Sequence, residues 1–468
     1  MSVAELTSMS VRELTKGFRD GSLSPVEVIK TILAHTETIN PSLSALFSIR
    51  PEEAIANARE SERRWRKDEP LGILDGVPMT VKDSVAMTGW PYFHGVKANR
   101  NASPSTFDSP PAARLKETAA NIFAKTTMPD CGLLAAGVSS MFGIIRNPWH
   151  TDYNTGGSSA GAGASLASGM GFLSVGSDIA GSVRCPASHC GLASLKPTQG
   201  RIPHLMPDFM RSAGPMGRSV EDIAHLMTVL AGADERDPWS FPPENNAYQN
   251  RLGRDLKGLR IGILTDMGFG PKPEQAVRET VEAAGKALAA HGAIVERFIS
   301  PLDGDCYEPI DRWLMIRGYT EWKALPPHEP DEFLHYVRDW CQPAKEMSAA
   351  DAWALLGQIA RIRVKLFDAF QGFDYVLAPT LPVVNFAADE PGMYREKPLG
   401  HTVFTAMFNQ TGQPASSVCF AFDKRHLPIG VQVVGHRFDD LGVLQITKAL
   451  EDLRDTSMDW PVVPRPHA

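Results

Sequence analysis

The sequence predicts an α/β protein whose sheet is buried on both faces. Short apolar runs bounded by Gly and Pro, such as the one in LGILDGVPMTVKDSV, are typical of buried strands. Helical stretches such as SPPAARLKETA lie between them, and this alternation favours a layered α/β architecture. Strand-like segments return late in the chain in YVLAPTLPVV and LPIGVQVVG. We therefore expect one large sheet that takes strands from both halves of the 468 residues.

Residues 1–65 have helical periodicity, and we expect helices that pack on the outside of the core. The segment SVRELTKGFRDGSLS predicts a helix that stops at Gly21. The segment SPVEVIKTILAHTETIN predicts a helix that begins at Ser24, has Pro25 at its first helical position and ends before Pro41.

Residues 66–235 are expected to form the central core. The segments LGILDGVPMTVKDSV, AANIFAKTTMPD and MGFLSVGSDIAG each have the pattern of a strand followed by a loop. A connection over the surface is predicted by TVLAGADERDPWSFPPENNAYQNRL, which is rich in Pro, Asp and Asn.

Residues 236–372 are expected to elaborate this core. LKGLRIGILTD predicts a buried strand, and PEQAVRETVEAAGKALAAHGAIVERF predicts a long helix followed by another strand. We expect this region to line the substrate side. Its helical residues 300–372 carry many aromatic side chains that could line an apolar pocket, although the residue types favour ordinary core packing for each one. Those singled out are Trp313, Tyr319, Trp322, Phe333 and Trp340. Residues 373–468 are expected to return strands to the same domain and to end in a helix.

Composition excludes several classes of protein. The chain has 47 basic and 54 acidic residues and a net charge of −7, without a long block of one sign, which argues against nucleic acid or an anionic membrane as partner. No apolar run is long enough for a transmembrane helix, and the first twenty residues lack the apolar core of a signal peptide. Six cysteines in a chain of this length do not suggest a disulfide framework. We therefore expect a cytoplasmic protein.

A zinc site is the alternative that Cys185, His189 and Cys190 raise. One pair of cysteines with a four-residue spacer and no second pair falls short of a tetrahedral ligand set. We expect no bound metal.

The stretch from Gly156 to Pro186, GGSSAGAGASLASGMGFLSVGSDIAGSVRCP, is rich in Gly and Ser. Its interleaved apolar residues and strand-like end argue against a flexible linker. The Lys-Ser/Thr pair of a P-loop and the glycine spacing of a dinucleotide-binding turn are both missing, which argues against a phosphate site. Nucleophilic catalysis by a serine remains. Because no histidine nearby has a recognisable triad setting, the base would be a lysine, and Lys82 follows an apolar strand-like run.

The chain resembles the amidase signature hydrolases. This Gly/Ser stretch and its continuation to GRIP match the family's signature, and GVPMTVKD matches its lysine motif. FGIIRNPWHTDYNTGGSS matches the approach to the first serine, and GQPASSVCFAFDKRHLPIGVQVVG matches the closing strands. The resemblance extends from about residue 10 to residue 455. It implies one three-layer α/β/α domain with a central mixed sheet, in which residues 66–235 form the signature core.

The resemblance also implies a catalytic triad. Ser182 would be the nucleophile, and Ser158, joined to Gly157 by a cis peptide bond in this family, would relay its proton. Lys82 would be the terminal base. No cofactor is implied, because the protein itself supplies the base and the oxyanion hole.

Further residues are assigned by the same resemblance. The N–H groups that would bind the oxyanion are those of Ile179, Ala180, Gly181 and Ser182. A buried pair of Asp178 and Arg184 would brace this turn, and Ser159 would hydrogen-bond to the triad. The remaining serines of the stretch are expected to be structural: Ser165, Ser168, Ser174 and Ser177.

The chain departs from the family pattern at a few positions. Ala160 and Ala180 each replace a glycine, which removes conformational freedom but keeps the N–H. In KTTMPDCG, the residues Thr127, Asp130 and Cys131 replace the usual Asn, Glu and Phe. This segment forms a wall of the substrate site in relatives, and we expect Met128 and Gly132 to contact the substrate.

The resemblance implies an amidase that hydrolyses a small or aryl-substituted carboxamide through an acyl-enzyme. The same machinery would also accept a carbamate, a urea-like compound, a hydrazide or an ester. Another alternative is the glutaminase subunit of a tRNA-dependent amidotransferase, although the R-x-x-L-G-x-Y motif of that subunit is missing here. The partner would be a small-molecule amide, and a homodimer is a further expectation.

Overall fold

The computed structural model describes residues 3–205, 208–242 and 247–463. Its helices are α1 (Val3–Ser8), α2 (Val11–Asp20), α3 (Pro25–Leu43), α4 (Pro51–Arg66), α5 (Pro110–Glu117), α6 (Ala160–Ala167), α7 (Arg184–Cys190), α8 (Val220–Leu230), α9 (Gln275–Ala290), α10 (Glu308–Lys323), α11 (His335–Cys341), α12 (Ala349–Phe370), α13 (Val403–Gln410) and α14 (Asp440–Leu453). Its strands are β1 (Leu46–Phe47), β2 (Pro78–Lys82), β3 (Asn121–Thr126), β4 (Val138–Ser139), β5 (Gly143–Ile144), β6 (Leu173–Asp178), β7 (Ala193–Lys196), β8 (Ser212–Gly217), β9 (Arg260–Ile263), β10 (Ile294–Arg297), β11 (Tyr375–Pro379), β12 (Ala415–Phe422) and β13 (Pro428–Gly435).

Eleven strands of the described residues form one mixed sheet in the order β1-β3-β2-β6-β8-β7-β12-β13-β11-β9-β10. Towards one edge, β3, β2 and β6 are parallel neighbours, and towards the other edge β11, β9 and β10 are parallel neighbours. Between these two parts, each pair of neighbours from β6 to β11 is antiparallel. The sheet takes strands from both halves of the chain, as the sequence predicts.

Neighbouring residues of one strand belong to different apolar cores, which shows that both faces of the sheet are covered. In β11, Leu377 packs in the core with α8, α9 and α14, whereas Val376 and Ala378 pack in the core with α10, α12 and α13. Because successive side chains of a strand point to opposite faces, the two cores lie on opposite sides of the sheet. This arrangement is the predicted three-layer α/β/α domain.

The N-terminal helices agree with the sequence patterns, with one exception. Helix α2 has Ser10 in a capping box and ends at Gly21 in the left-handed conformation. Helix α3 begins after Ser24, but it continues through Pro41 to Leu43, so the expected end before Pro41 is wrong. A proline removes only one N–H, and the last turn is closed by the Ser44 N–H, which donates to Asn40 O at 2.9 Å. The short edge strand β1 also lies within the region predicted to be helical.

The later segments follow the predictions in part. Strand β9 precedes α9 in the chain and β10 follows it, and both strands belong to the central sheet. The residues of β10 are mostly exposed. The predicted surface connection begins after α8 ends at Leu230, and residues 243–246 within it lie outside the described residues. Across the described parts of the chain, we find no helix with both the length and the apolar character needed to cross a membrane.

The sheet brings the ends of β2 and β6 to the same edge. Strands β2 and β6 are parallel neighbours, with Val81 paired to Val175, and they end at Lys82 and Asp178. The loop after β6 carries Ser182. Because parallel neighbours end at the same edge, residues that are far apart in the chain meet there.

The central strands are expected to carry much of the stability. The substitution Leu377→Ala removes a completely buried side chain and should lower the free energy of unfolding by about 2–5 kcal/mol. Leu71→Ala is the matched control, because this leucine is 58% exposed and should change stability little. Denaturation midpoints measured for both variants check the prediction, and equal midpoints would contradict it.

Candidate active site

Lys82 is completely buried at the end of β2. Its Nζ lies at hydrogen-bond distance from Ser158 Oγ, at 2.7 Å, and from Ser177 Oγ, at 3.2 Å. Burial, and after it the positive charge of Arg211, hold the pKa of Lys82 well below its ordinary value. The amine is therefore neutral at a pH where an ordinary lysine is charged, and its lone pair is available to accept a proton.

The loop after β2 is fixed by hydrogen bonds that hold Lys82 in place. The carboxylate of Asp83 accepts the N–H of Phe93 at 3.0 Å and that of Gly95 at 2.8 Å. The buried Lys125 Nζ donates to Asp83 O at 3.0 Å and to two further carbonyls of the same loop. These bonds leave the strand end little freedom to move.

Ser158 lies two residues before α6, and the Gly157–Ser158 peptide bond is cis, the form that the resemblance implies. The main chain of residue 136 packs directly against this bond. A Cβ at Gly157 would lie 2.6 Å from Ala136 N, so the position admits only glycine. The Ser158 side chain is thereby directed at Lys82.

Ser159 hydrogen-bonds to a triad residue through its main chain and not through its hydroxyl. Its hydroxyl has no hydrogen-bond partner among the described residues and packs against Gly176 in β6, so it does not bond to the triad. Its N–H instead donates to Ser182 O at 3.1 Å. Ser159 links the two serine segments through its main chain.

Asp178 ends β6 and organises the turn that carries Ser182. Its Oδ1 accepts the Gly181 N–H at 2.7 Å, and its Oδ2 accepts the Val183 N–H at 3.2 Å. Gly181 has a φ of 116°, and a Cβ there would lie 2.7 Å from Cys185 Sγ. The turn therefore requires glycine at this position.

These hydrogen bonds leave the turn with fewer free N–H groups for an oxyanion than the resemblance implies. The Gly181 N–H is occupied by Asp178, so it is not a free donor in this structure. The N–H groups of Ile179, Ala180 and Ser182 have no hydrogen-bond partner in the described part of the chain. Three of the four expected donors are therefore available to a ligand.

Arg184 anchors this turn to distant parts of the fold. Its Nε and Nη2 donate to the Asp178 carboxylate at 3.0 and 2.8 Å, and both side chains are completely buried. Its guanidinium also donates to Gln432 Oε1 at 2.6 Å, to Thr405 O at 3.1 Å and to Asn409 Oδ1 at 2.5 Å. Burial alone would raise the pKa of Asp178. The charge and hydrogen bonds of Arg184 outweigh burial and lower this pKa below its ordinary value. The pair stays charged and braces the turn.

A small pocket joins these groups. Its volume is about 10 Å³, which is room for about one water molecule. Met128 and Gly132 line it, where the resemblance places substrate contacts. The full lining is Lys82, His94, Met128, Cys131, Gly132, Ser158, Ser177, Ile179, Ser182, Arg211 and Arg317.

A larger cavity of about 470 Å³ adjoins the pocket and shares His94, Arg211 and Arg317 with it. Its other lining residues are Tyr92, Asp208, Thr320 and Glu321. Helix α10 thus lines the substrate side with charged residues. The aromatic side chains of this region belong to the apolar core on that face of the sheet, which is the ordinary packing that the sequence favours: Trp313, Tyr319, Trp322, Phe333 and Trp340.

The sequence patterns did not reveal four residues of this site. Ser177, expected to be structural, lies within 3.2 Å of Lys82 Nζ. The period-two alternation of β6 gave no signal, because in the register that pairs Val81 with Val175 it assigns Ser177 and Lys82 to opposite faces of the sheet. His94, Arg211 and Arg317 come from a loop, the start of β8 and a helix, and no local motif marks them.

One group of potential metal ligands lies beside the site. Ligand atoms of His94, Cys131 and Glu321 all lie within 4.8 Å of one another. Burial raises the pKa of the Cys131 thiol well above its ordinary value, and Arg317 Nε donates to the Glu321 carboxylate at 2.7 Å. A protonated thiol and a carboxylate already paired with a guanidinium do not make a good cation site. Cys185, a candidate ligand in the zinc alternative, is also buried, and burial raises the pKa of its thiol to about 12.

Comparisons with known proteins agree with this fold. Residues 27–444 match the family model described as Amidase. A glutamyl-tRNA(Gln) amidotransferase subunit from Carboxydothermus hydrogenoformans is 30% identical, over 96% of this chain and 97% of that protein. Acylamidase from Rhodococcus erythropolis is 29% identical, over 97% of each. The crystal structure of a bacterial aryl acylamidase superposes with a TM-score of 0.88 at 26% identity, over 95% of this chain and 96% of that one.

The fold and the comparisons define a hydrolase that acts on carbon–nitrogen bonds. More particularly, the chain belongs to the amidase signature family.

The ion pair that braces the serine turn should matter for stability. Asp178→Asn leaves the Arg184 guanidinium buried without its counter-charge, and loss of one partner of a buried pair costs about 3–5 kcal/mol. We expect a lower midpoint of thermal unfolding. Asp303→Asn is the control, because its ion pair with Lys365 is exposed and should contribute almost nothing. An Asp178→Asn midpoint as high as that of the control would contradict this role.

Proposed function

We propose that this protein hydrolyses carboxamides through an acyl-enzyme formed on Ser182. The observation that carries the proposal is the contact of 2.7 Å between Lys82 Nζ and Ser158 Oγ, in a pocket that Ser182 also lines. A buried neutral lysine beside one serine, with a second serine and free N–H groups close by, has what acyl transfer needs: a base, a relay, a nucleophile and oxyanion donors.

The proton path follows from these contacts. The Ser182 hydroxyl gives its proton to Ser158 Oγ, while Ser158 gives its own proton to the lone pair of Lys82 Nζ. Among the described residues Ser182 Oγ has no hydrogen-bond partner, so its side chain is free to rotate towards Ser158 and the substrate. Ser182 Oγ then forms a bond to the amide carbon, and the carbonyl oxygen becomes an oxyanion bound by N–H groups, worth about 3–4 kcal/mol for each effective donor.

The leaving group and water complete the reaction. The proton on Lys82 returns through Ser158 to the amide nitrogen as the carbon–nitrogen bond breaks, and amine or ammonia departs. Water then takes the place of the amine and gives a proton along the same path to Lys82 while its oxygen bonds to the acyl carbon. The bond between that carbon and Ser182 Oγ breaks, and the proton returns from Lys82 through Ser158 to Ser182 Oγ. The products are a carboxylic acid and an amine, and Ser182 and Lys82 regain their starting forms.

Ser177 gives the lysine its orientation in this scheme. A neutral amine has two N–H groups and one lone pair. When one N–H donates to Ser177 Oγ at 3.2 Å, the lone pair is free to face Ser158 at 2.7 Å. Ser177 is therefore a positioning residue.

The substrate proposal is a small or aryl-substituted carboxamide. The names of two relatives, an acylamidase and an aryl acylamidase, support it, and the 470 Å³ cavity beside the pocket provides room for a substituent. The acyl-enzyme chemistry applies equally to a carbamate, a urea-like compound, a hydrazide or an ester.

The glutaminase subunit of an amidotransferase is the second candidate function. The 30% identity to such a protein favours it, whereas the missing R-x-x-L-G-x-Y motif does not. Ammonia release from glutamine by the purified chain, first by itself and then with amidotransferase partner subunits, separates the two. Release that depends on the partners would favour the glutaminase role.

Replacement of the nucleophile tests the proposed function. Ser182→Ala should lower the rate of amide hydrolysis by at least about a thousandfold without changing the circular dichroism spectrum. Ser168→Ala is the control, because the hydroxyl of this buried serine bonds only to carbonyls of its own helix. A serine-reactive phosphonate should label Ser182 in the wild type. Undiminished turnover by Ser182→Ala, or a label on another serine, would contradict the assignment.

The base has its own signature in the pH dependence. Because Lys82 must be neutral and its pKa is lowered, activity should fall as the pH drops through that pKa, well below the value of an ordinary lysine. Lys82→Arg stays charged at all accessible pH values and should be inactive throughout. Lys82→Met should lose about 10²–10⁴-fold and its acidic limb. A wild-type acidic limb that survives in Lys82→Met would assign the limb to another group.

A further inference from the structure

Arg211 lies between the small pocket that contains Ser182 and the 470 Å³ cavity, and its side chain lines both. It directly precedes β8, whose Ser212 pairs with Asp178 at the end of β6. In the same antiparallel register, Arg211 lies opposite Ile179, the first residue of the turn that carries the free N–H groups. The arginine is therefore part of the entrance to the reactive serine.

The main chain around Arg211 is held firmly. Gln199 Nε2 donates to Arg211 O at 2.8 Å and to Asp208 O at 2.7 Å. Asn409 Nδ2, from the helix that also binds Arg184, donates to Met210 O at 3.0 Å. These bonds fix the main chain from which the Arg211 side chain extends.

The Arg211 guanidinium lacks such a partner within the described ranges. The residue is only 9% exposed, yet in those ranges no carboxylate lies at ion-pair distance and no hydrogen bond engages its side chain. An enclosed cation without a partner is energetically unfavourable, and a ligand that supplies an anion relieves this cost.

The other charged groups of the cavity are already engaged. Arg317 Nε donates to Glu321 at 2.7 Å, so these two charges balance each other. The Asp208 carboxylate accepts the Met210 N–H at 2.8 Å. The enclosed position of His94 lowers its pKa to about 3, which leaves its imidazole neutral. Glu321 and Asp208 act on the charge of Arg211 only from beyond ion-pair distance. Among the described charged residues that line the cavity, Arg211 is therefore the one whose side chain has neither an ion pair nor a hydrogen bond.

We propose that the substrate is an amide that also carries a carboxylate, and that Arg211 binds this carboxylate when the amide carbon is at Ser182. This inference rests on the proposed function and specifies its substrate class. A guanidinium fits a carboxylate with two parallel N–H bonds, which fixes orientation as well as charge. The carboxylate occupies the mouth of the cavity, on either the acyl or the amine part of the substrate.

The test uses matched pairs of amides that differ only in this charge. For the acyl part the pair is glutaric acid monoanilide and its carboxamide analogue, and for the amine part it is 4-acetamidobenzoate and 4-acetamidobenzamide. We expect the wild type to prefer the acid of at least one pair by about tenfold or more in kcat/KM. Arg211→Met should reduce that ratio to near one, and Arg211→Lys should give an intermediate value.

The ratio isolates the carboxylate contact. Arg211 also influences the pKa of Lys82, but this effect is the same for both amides of a pair at one pH and cancels in the ratio. Arg437→Met is the control, because it removes an exposed guanidinium that lines neither space, and its ratio should equal that of the wild type.

Binding to Ser182→Ala, measured by calorimetry, separates this inference from the proposed function. About tenfold tighter binding of the acid than of its neutral partner, lost in the double variant with Arg211→Met, supports the carboxylate site. This holds even if the wild type hydrolyses no amide, because absence of hydrolysis would refute only the proposed function. Hydrolysis of both amides of each pair at equal rates, together with equal binding or no binding, overturns the inference and leaves the proposed function standing.

Discussion

The buried ion pair between Asp178 and Arg184 is the interaction on which the site depends. The carboxylate closes the turn around Ser182 by accepting two of its N–H groups. The guanidinium ties that carboxylate to α13 and to β13. The turn has little side chain of its own to pack, so its shape is set by these charged hydrogen bonds. Small residues in the turn then leave main-chain N–H groups uncovered for a ligand.

Electrostatics of the pocket serve two purposes at once. Burial and nearby guanidinium groups favour the neutral form of Lys82, which a proton acceptor requires. The same guanidinium groups make the entrance attractive to an anion. Arg317 is paired with Glu321, whereas Arg211 has no ion pair among the described residues, so an unpaired guanidinium lies beside the serine turn. One arrangement of charges thus acts both on Lys82 and on the entrance to the pocket.

The layered fold and the segments that meet at the site could be predicted from the sequence, because strand patterns and the Gly/Ser motif are local features. Arg211 and Arg317 could not. An arginine four residues before a glutamate on a helix, as in Arg317 and Glu321, is the pattern of a solvent-exposed pair, and only the docking of α10 encloses it. The hydroxyl direction of Ser159 likewise depends on a packing partner in another element, Gly176 of β6.

The partners of Arg184 have a consequence for synthesis of the chain. Thr405 and Gln432 lie 221 and 248 residues after Arg184, and β7 pairs with β12 from the far end of the chain. Contacts across such separations form late, because closing long loops is entropically unfavourable. While the protein emerges from the ribosome, both serines and the lysine are present long before the segments that hold the turn in shape. The nascent chain therefore completes its reactive centre only when translation is nearly finished.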